Sequence, residues 1–177
     1  MALGASVHKI DLDVSDTDRH YYAQHKLTVA RHPSETLDRM MVRVLAFALN
    51  AGPDLAFGRG VSTADEPDLW EVDPTGAIIH WIDVGQPAFE RLKKARSRSI
   101  NQTVYSFGRG RDVWWREQGD RFGSLDSLRV LHLSDEDVAA LASVADKTLT
   151  LSACISEGSV YLSAGERTVT VNPYSSE

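Results

Sequence analysis

Residues 77–84 read Ala-Ile-Ile-His-Trp-Ile-Asp-Val, an extended run with apolar side chains on both faces, and this run narrows the folds open to the chain. Such a strand belongs in the middle of a sheet whose two faces are both covered. It also sets Asp83 beside Trp81 and Ile82, and a carboxylate in such company is seldom buried unless it is paired or bound to metal. A helix-flanked sheet and a partner for Asp83 are the first two expectations.

The rest of the chain supplies elements for such a sheet. Ile10, Leu12 and Val14 alternate with Lys9, Asp11 and Asp13, and a second strand over about 20–30 follows the Ser15-Asp16-Thr17-Asp18 turn, predicting an antiparallel hairpin. His32-Pro33-Ser34-Glu35 predicts a helix with Pro33 and Glu35 in its first turn. Leu37, Met40, Met41, Val44, Leu45 and Ala48 carry that helix to the stop at Asn50-Ala51-Gly52-Pro53. Residues 57–67 read as a loop, 69–72 as a strand joined to 77–84 by Asp73-Pro74-Thr75-Gly76, and the segment from about Pro87 as a basic helix. Further along, 103–107 and 128–133 read as strands, 112–118 and 135–145 as helices, and 149–155, 160–162 and 168–171 as a closing meander. The expected class is α/β, more narrowly an α+β mixed sheet flanked by helices with additional N- and C-terminal antiparallel strands.

At 177 residues with 42% hydrophobic and 25% charged, residues 1–177 read as a single domain able to bury a sizeable core. The lone cysteine, Cys154, excludes an internal disulfide framework and a cysteine-built zinc site. No apolar stretch is long enough to span a bilayer and the N-terminal residues carry no signal-peptide pattern, so the expectation is a cytoplasmic protein without membrane association. The net charge of −6 argues against a purely electrostatic nucleic-acid binder. Yet residues 87–121 hold 9 basic and 4 acidic groups, a local excess of +5. That segment is either a phosphate-facing patch or a solvated helix face.

The residues that carry candidate chemistry are Glu35, Asp68, Asp83, Lys93 and Lys94. Pairing Val72 with Ala77 across the turn places Asp68 opposite Trp81, on the same sheet face as Asp83 and diagonal to it. Diagonal neighbours lie about 7–8 Å apart, within reach of one shared divalent cation. A Mg²⁺ or Mn²⁺ ion held there would activate water and offset phosphodiester charge, with an ammonium stabilising the rest. Each residue has a plainer alternative: Glu35 as a first-turn acid favoured by the helix dipole, Asp68 as turn chemistry, Asp83 paired with a basic residue on the following helix, and both lysines in solvent. The six histidines form no two-histidine-plus-carboxylate motif, and no nucleophile elbow or phosphate-binding glycine loop is present.

Arg31-His32-Pro33-Ser34-Glu35-Thr36, Asp65-Glu66-Pro67-Asp68-Leu69-Trp70, Trp81-Ile82-Asp83-Val84-Gly85, Leu92-Lys93-Lys94-Ala95 and Asp146-Lys147-Thr148-Leu149-Thr150-Leu151 together resemble the bacterial YaeQ family, over essentially the whole chain. That family resembles a variant of the PD-(D/E)XK nuclease superfamily, whose restriction-endonuclease-like core is a mixed sheet flanked by helices. The resemblance implies that Pro67-Asp68 is the PD element, Asp83 the second acid and Glu35 the helix acid. The superfamily lysine falls at Gly85 here, which implies either that Lys93 or Lys94 reaches back from the next helix or that the catalytic function is lost.

Three functions are therefore expected in order. The first is a metal-dependent phosphodiesterase acting on nucleic acid, with Asp68, Asp83, Lys93 and Lys94 catalytic, Glu35, Asp68 and Asp83 holding Mg²⁺ or Mn²⁺, and the basic segment 91–121 guiding the nucleic-acid backbone. The second is a catalytically inactive nuclease-fold binding or interaction module, which Gly85 favours. The third is a small-molecule phosphohydrolase working at the same acidic site.

Overall fold

A computed structural model describes residues 4–60 and 63–176. Positions 61 and 62 of the expected loop, and residues 1–3 of the N-terminal reading, lie outside the described residues. The elements in chain order are β1 (Ser6–Asp16), β2 (Tyr21–Arg31), α1 (Leu37–Asn50), β3 (Leu55–Phe57), β4 (Leu69–Val72), β5 (Ile78–Val84) and α2 (Phe89–Arg96). They continue with β6 (Ser99–Ser106), α3 (Arg111–Phe122), β7 (Leu128–His132), α4 (Asp135–Ser143), β8 (Thr148–Ser156), β9 (Ser159–Ala164) and β10 (Arg167–Val171).

The strands form two five-stranded sheets, ordered β10-β9-β8-β1-β2 and β3-β4-β5-β6-β7. The expected N- and C-terminal strands thus build a sheet of their own. β1 pairs antiparallel with β2 and parallel with β8, so the two ends of the chain zip together along Lys9–Thr148 to Asp16–Ile155. In the second sheet β3, β4 and β5 run antiparallel, while β5, β6 and β7 run parallel with α2 and α3 as the crossovers that parallel strands require.

Helix α1 lies between the sheets. Residues 40–48 are all buried, and an α-helix hydrophobic all round must be covered all round. Its Met40, Met41, Val44 and Leu45 join Ile10 and Leu12 of the first sheet and Leu69 and Ile82 of the second in one apolar cluster. On the far face of the second sheet, α2 and α3 cover a separate cluster of Leu92, Val104, Trp114 and Phe122. β5 is therefore covered on both faces, as its apolar run requires: Ile82 and Val84 face α1, while Asp83 meets α2. Among the described residues no helix is long and apolar enough to cross a membrane.

Four local readings need correction. α1 begins at Leu37, because Thr36 is extended and its hydroxyl accepts the Arg39 N–H as N-cap. Pro33 and Glu35 consequently precede the helix. The three-residue strand β3 was too short to register as a pattern. β6 starts at Ser99, four residues before the apolar signal, because Gln102 and Ser99 are buried polar groups bonded to the carbonyls of Leu92 and Ala95. Finally, a bulge between Glu71 and Val72 pairs Leu69 with Ile82 and Trp70 with Trp81. The register over Leu69–Glu71 differs from the expected one by two residues, and the pairing ends at Leu69, so Asp68 lies just outside it: its carboxylate bonds to Arg39 of α1, whereas Asp83 bonds to Arg91 of α2.

β7 ends on His132, which fastens the C-terminal segment: its backbone N–H donates to Tyr174 O at 2.7 Å and the Tyr174 N–H donates to His132 O at 3.0 Å. The imidazole is buried, with Nδ1 2.6 Å from Ser106 Oγ and Trp115 edge-on at 4.8 Å. Burial, reinforced by Arg111, holds its pKa below the ordinary 6.5. The unfolded chain therefore binds the proton more readily than the folded one. This stabilising contribution is complete above pH 6.5 and is lost as pH falls through the lowered value. Urea unfolding on either side of pH 6.5 should show stability dropping on the acid side, with a shallower drop in His132→Gln.

Candidate functional site

The carboxylates singled out from the sequence converge at one end of β4 and β5. Asp68 sits just before β4, held there by a close approach: the Gly58 N–H donates to Asp68 O at 2.9 Å, and a Cβ at Gly58 would collide with the Pro67 carbonyl. Only glycine fits that crossing. Asp68 Oδ2 accepts the Val84 N–H at 2.8 Å, which ties the acid across to the end of β5. Asp83, one residue earlier on β5, is 2% exposed.

Each acid is engaged by a guanidinium. Arg39 of α1 donates through Nη2 to Asp68 Oδ1 at 2.7 Å and through Nη1 to Glu35 Oε2 at 2.8 Å. Glu35 Oε1 accepts from Arg43 Nη2 one turn further along, and the same nitrogen donates to Ala30 O at 3.0 Å. Glu35 and Arg43 are both 2% exposed by side chain, a fully buried ion pair. On the other side Arg91 of α2 grips Asp83 with two nitrogens, Nη2 to Oδ1 at 2.9 Å and Nε to Oδ2 at 3.1 Å, while Trp81 Nε1 donates to Oδ2 at 3.1 Å. Arg91 also donates to the carbonyls of Ala64 and Glu66, so it anchors the loop that leads to Asp68.

The outcome is a chain of alternating charge, Arg43, Glu35, Arg39, Asp68, with Asp83 and Arg91 adjoining it. Burial pushes the Asp83 carboxyl above the ordinary carboxylate range and the Asp68 charge adds to this, against the pull of Arg91 and Trp81. Burial also disfavours the Arg39 cation, but Asp68 and Glu35 outweigh it and hold its pKa above the usual value. Arg39, Asp68, Asp83 and Arg91 border an open cleft of about 340 Å³, together with Thr63 and Gln86.

The sequence reasoning found the three acids but not the three arginines. Glu35, Arg39 and Arg43 are spaced four apart, the interval that aligns side chains along one helix face, and this was the available signal. Arg91 lies eight residues after Asp83, across a turn and into α2, and fulfils the plainer alternative of pairing with a basic residue on the following helix. The lysines lie elsewhere: Lys94 Nζ is 3.2 Å from Asp65 Oδ1 on the surface, and Lys93 is exposed. At Gly85, where the sequence resemblance led to the expectation of a lysine, φ is +102° and the N–H donates to Tyr105 O at 2.9 Å, a conformation suited to glycine.

The donor set does not fit a divalent cation. All six oxygens of Glu35, Asp68 and Asp83 accept from N–H groups, and three arginines balance the three acids. Among the described residues no three His, Cys, Asp or Glu side chains are arranged to hold a metal. A cation entering the cleft would meet Arg39 and Arg91 at the carboxylate faces it needs.

Fold and site together define an α+β protein with two mixed sheets, whose second sheet ends in carboxylates clamped by arginines from the helices on either side. The family model described as YaeQ protein matches residues 1–173. The YaeQ protein of Escherichia coli (strain K12) is 36% identical over 173 residues, spanning 97% of this chain and 96% of that one. YaeQ of Salmonella typhi is 38% identical over 164 residues, 92% of this chain and 91% of that one. Crystal structures of YaeQ proteins from Xanthomonas axonopodis pv. citri and Pseudomonas syringae superpose with TM-scores of 0.93 and 0.92 at 42% and 34% identity, each covering 97% of this chain and 97% and 95% of its own. The chain belongs to the YaeQ family.

Removing one partner of a buried pair leaves an uncompensated charge, at a cost of about 3–5 kcal/mol. Arg43→Met should lower the unfolding free energy by that order, measured by chemical denaturation. Adding Glu35→Gln to it should recover part of the loss.

Proposed function

We propose that this protein is a nucleic-acid-binding module that retains a nuclease-like sheet and engages the phosphate backbone without a metal ion. The observation that carries the reading is the clamping of Glu35, Asp68 and Asp83 by Arg39, Arg43 and Arg91. An acidic cleft needs a cation before it can approach a phosphodiester, whereas one whose acids are already neutralised presents arginines to it. Arg39 and Arg91 border the cleft; among the described residues Arg39 commits one N–H on each Nη and none on Nε and so keeps donors for phosphate oxygens, while Arg91 keeps one on Nη1.

The basic segment supports the same reading. Arg91, at the cleft, begins the basic run of α2, and Lys93, Lys94 and Arg98 are exposed beyond it. α3 packs beside α2 and adds exposed Arg116 and Arg121. The local cationic excess therefore occupies one helical layer that borders the cleft, while the acidic segments lie in other parts of the chain. The positive φ at Gly85 agrees with a site that works without the superfamily lysine, since a lysine there would strain the backbone.

Asp68 and Asp83 both line the cleft, and this favours a second reading, the Mg²⁺- or Mn²⁺-dependent phosphodiesterase. It requires the arginine clamps to open.

Fluorescence anisotropy with labelled single- and double-stranded DNA and RNA, in EDTA and in Mn²⁺, separates the two. A binding module should bind equally well in EDTA, weaken as salt rises, and lose about one unit of salt slope per phosphate contact removed in Lys93→Gln or Arg98→Gln. Metal-stimulated cleavage that disappears in Asp83→Asn would instead establish the phosphodiesterase, and the absence of any binding would overturn both.

A further inference from the structure

A second cleft opens between the two sheets, bounded by the β1–β2 turn, the C-terminal end of α1, β6, β7 and the β8–β9 turn. Its volume is about 220 Å³ and it shares no lining residue with the arginine–carboxylate cleft. Leu49, Leu131 and Ile155 supply apolar walls. Arg19, Asn50, Tyr105 and Arg129 supply donor groups, and Asp16 and Asp18 supply two carboxylates.

The hydrogen-bond inventory of this cleft is lopsided. Tyr105 is 2% exposed, and its hydroxyl oxygen accepts from Asn50 Nδ2 at 2.8 Å. Among the described residues the phenol proton has no acceptor. A buried hydroxyl normally donates as well as accepts, so this proton asks for a partner from outside the chain. Burial pushes the Tyr105 pKa up to about 12, which keeps the proton in place as a donor at neutral pH. Arg129 lies close enough to act electrostatically on this phenol, as does Arg19. Arg129 makes no ion pair with any described residue.

The negative groups nearby are already committed. Asp16 accepts from the N–H groups of Asp18 and Arg19 and from Arg19 Nε. Asp18 accepts from the N–H groups of Glu157 and Gly158, which close the β8–β9 turn onto it. At the end of α1, Ala46 O takes the second Asn50 Nδ2 bond and Ala51 O takes Arg19 Nη1. The Asp16 and Asp18 carboxylates and the Ala46 and Ala51 carbonyls thus already accept hydrogen bonds, the two carboxylates are matched in number by Arg19 and Arg129, and among the described residues the uncommitted donors are the Tyr105 hydroxyl, the Arg129 guanidinium and Arg19 Nη2.

We propose that this cleft binds a small organic oxyanion, a carboxylate or phosphate group carried on an apolar body, with Arg129 and the Tyr105 hydroxyl holding the charged end and Leu49, Leu131 and Ile155 packing the body. The proposal is independent of the nucleic-acid reading, because none of its residues belongs to the other cleft.

The test is an NMR titration of the ¹⁵N-labelled full chain with benzoate, phenyl phosphate and, as a neutral control, benzyl alcohol. Benzoate or phenyl phosphate should shift the Gly158 N–H and Asn50 side-chain amide signals, and the better of the two identifies the charged group. Arg129→Gln, at an exposed position, and Tyr105→Phe should each weaken that anion by at least about tenfold, the size expected for a charge-assisted hydrogen bond. The proposal fails if neither anion shifts these signals up to about 20 mM, beyond the range where a Kd near 1 mM would saturate. It also fails if benzyl alcohol binds as well as the anions, or if Arg129→Gln binds like the unsubstituted chain.

Discussion

The pairing of Glu35 with Arg43 constrains much of what surrounds it. Both groups are almost fully withdrawn from water, and two such charges persist in a core only when each neutralises the other. Arg43 lies in the middle of α1, among Met41, Val42, Val44 and Leu45, so its guanidinium must find Glu35 just outside the helix N-terminus and the Ala30 carbonyl at the end of β2. That requirement fixes how β2 turns into α1. Arg39, one helical turn away, extends the arrangement to Asp68, and Asp68 in turn bonds to the end of β5. A single line of charge-assisted contacts thus runs from the first sheet, along the central helix, to the second.

The placement of α1 between the sheets makes this line possible. A helix buried on every side must draw its neighbours from different layers, and here they are the hairpin at the N-terminus, the meander at the C-terminus and the sheet formed from the middle of the chain. Parallel pairing of β1 with β8 joins residues nearly 140 apart in sequence. Long-range pairings of this sort carry a large loop-closure cost, offset by the shared apolar cluster that both sheets and α1 enclose.

At the cleft, the chemistry turns on charge balance. Acids alone would call for a cation; acids matched one for one by arginines do not. The guanidiniums are rigid, permanently charged and rich in donors, so they satisfy the carboxylates and still hold N–H groups beyond those the acids engage. The fold therefore does not by itself prescribe chemistry, and the side chains at the rim of the second sheet decide.

Much of the fold was legible in the residues. The two-faced apolar run containing Asp83 announced a covered central strand, and the period-two pattern of Ile10, Leu12 and Val14 announced a half-buried one. The register of Leu69–Glu71 came out two residues from the expected one, a shift that leaves each side chain on its face because side chains alternate with period two. The start of α1 was not legible, because Pro33 and Glu35 suit a first turn as well as the turn before it, and only the extended backbone of Thr36 separates the two. What the sequence by itself determined is the set of elements, the faces they bury and the acids that need partners, since these follow from local periodicity and the cost of burying charge. The tertiary structure alone decided that there are two sheets and that Arg39, Arg43 and Arg91 rather than Lys93 or Lys94 answer those acids, because which cation reaches a carboxylate depends on how helices from distant parts of the chain pack across it.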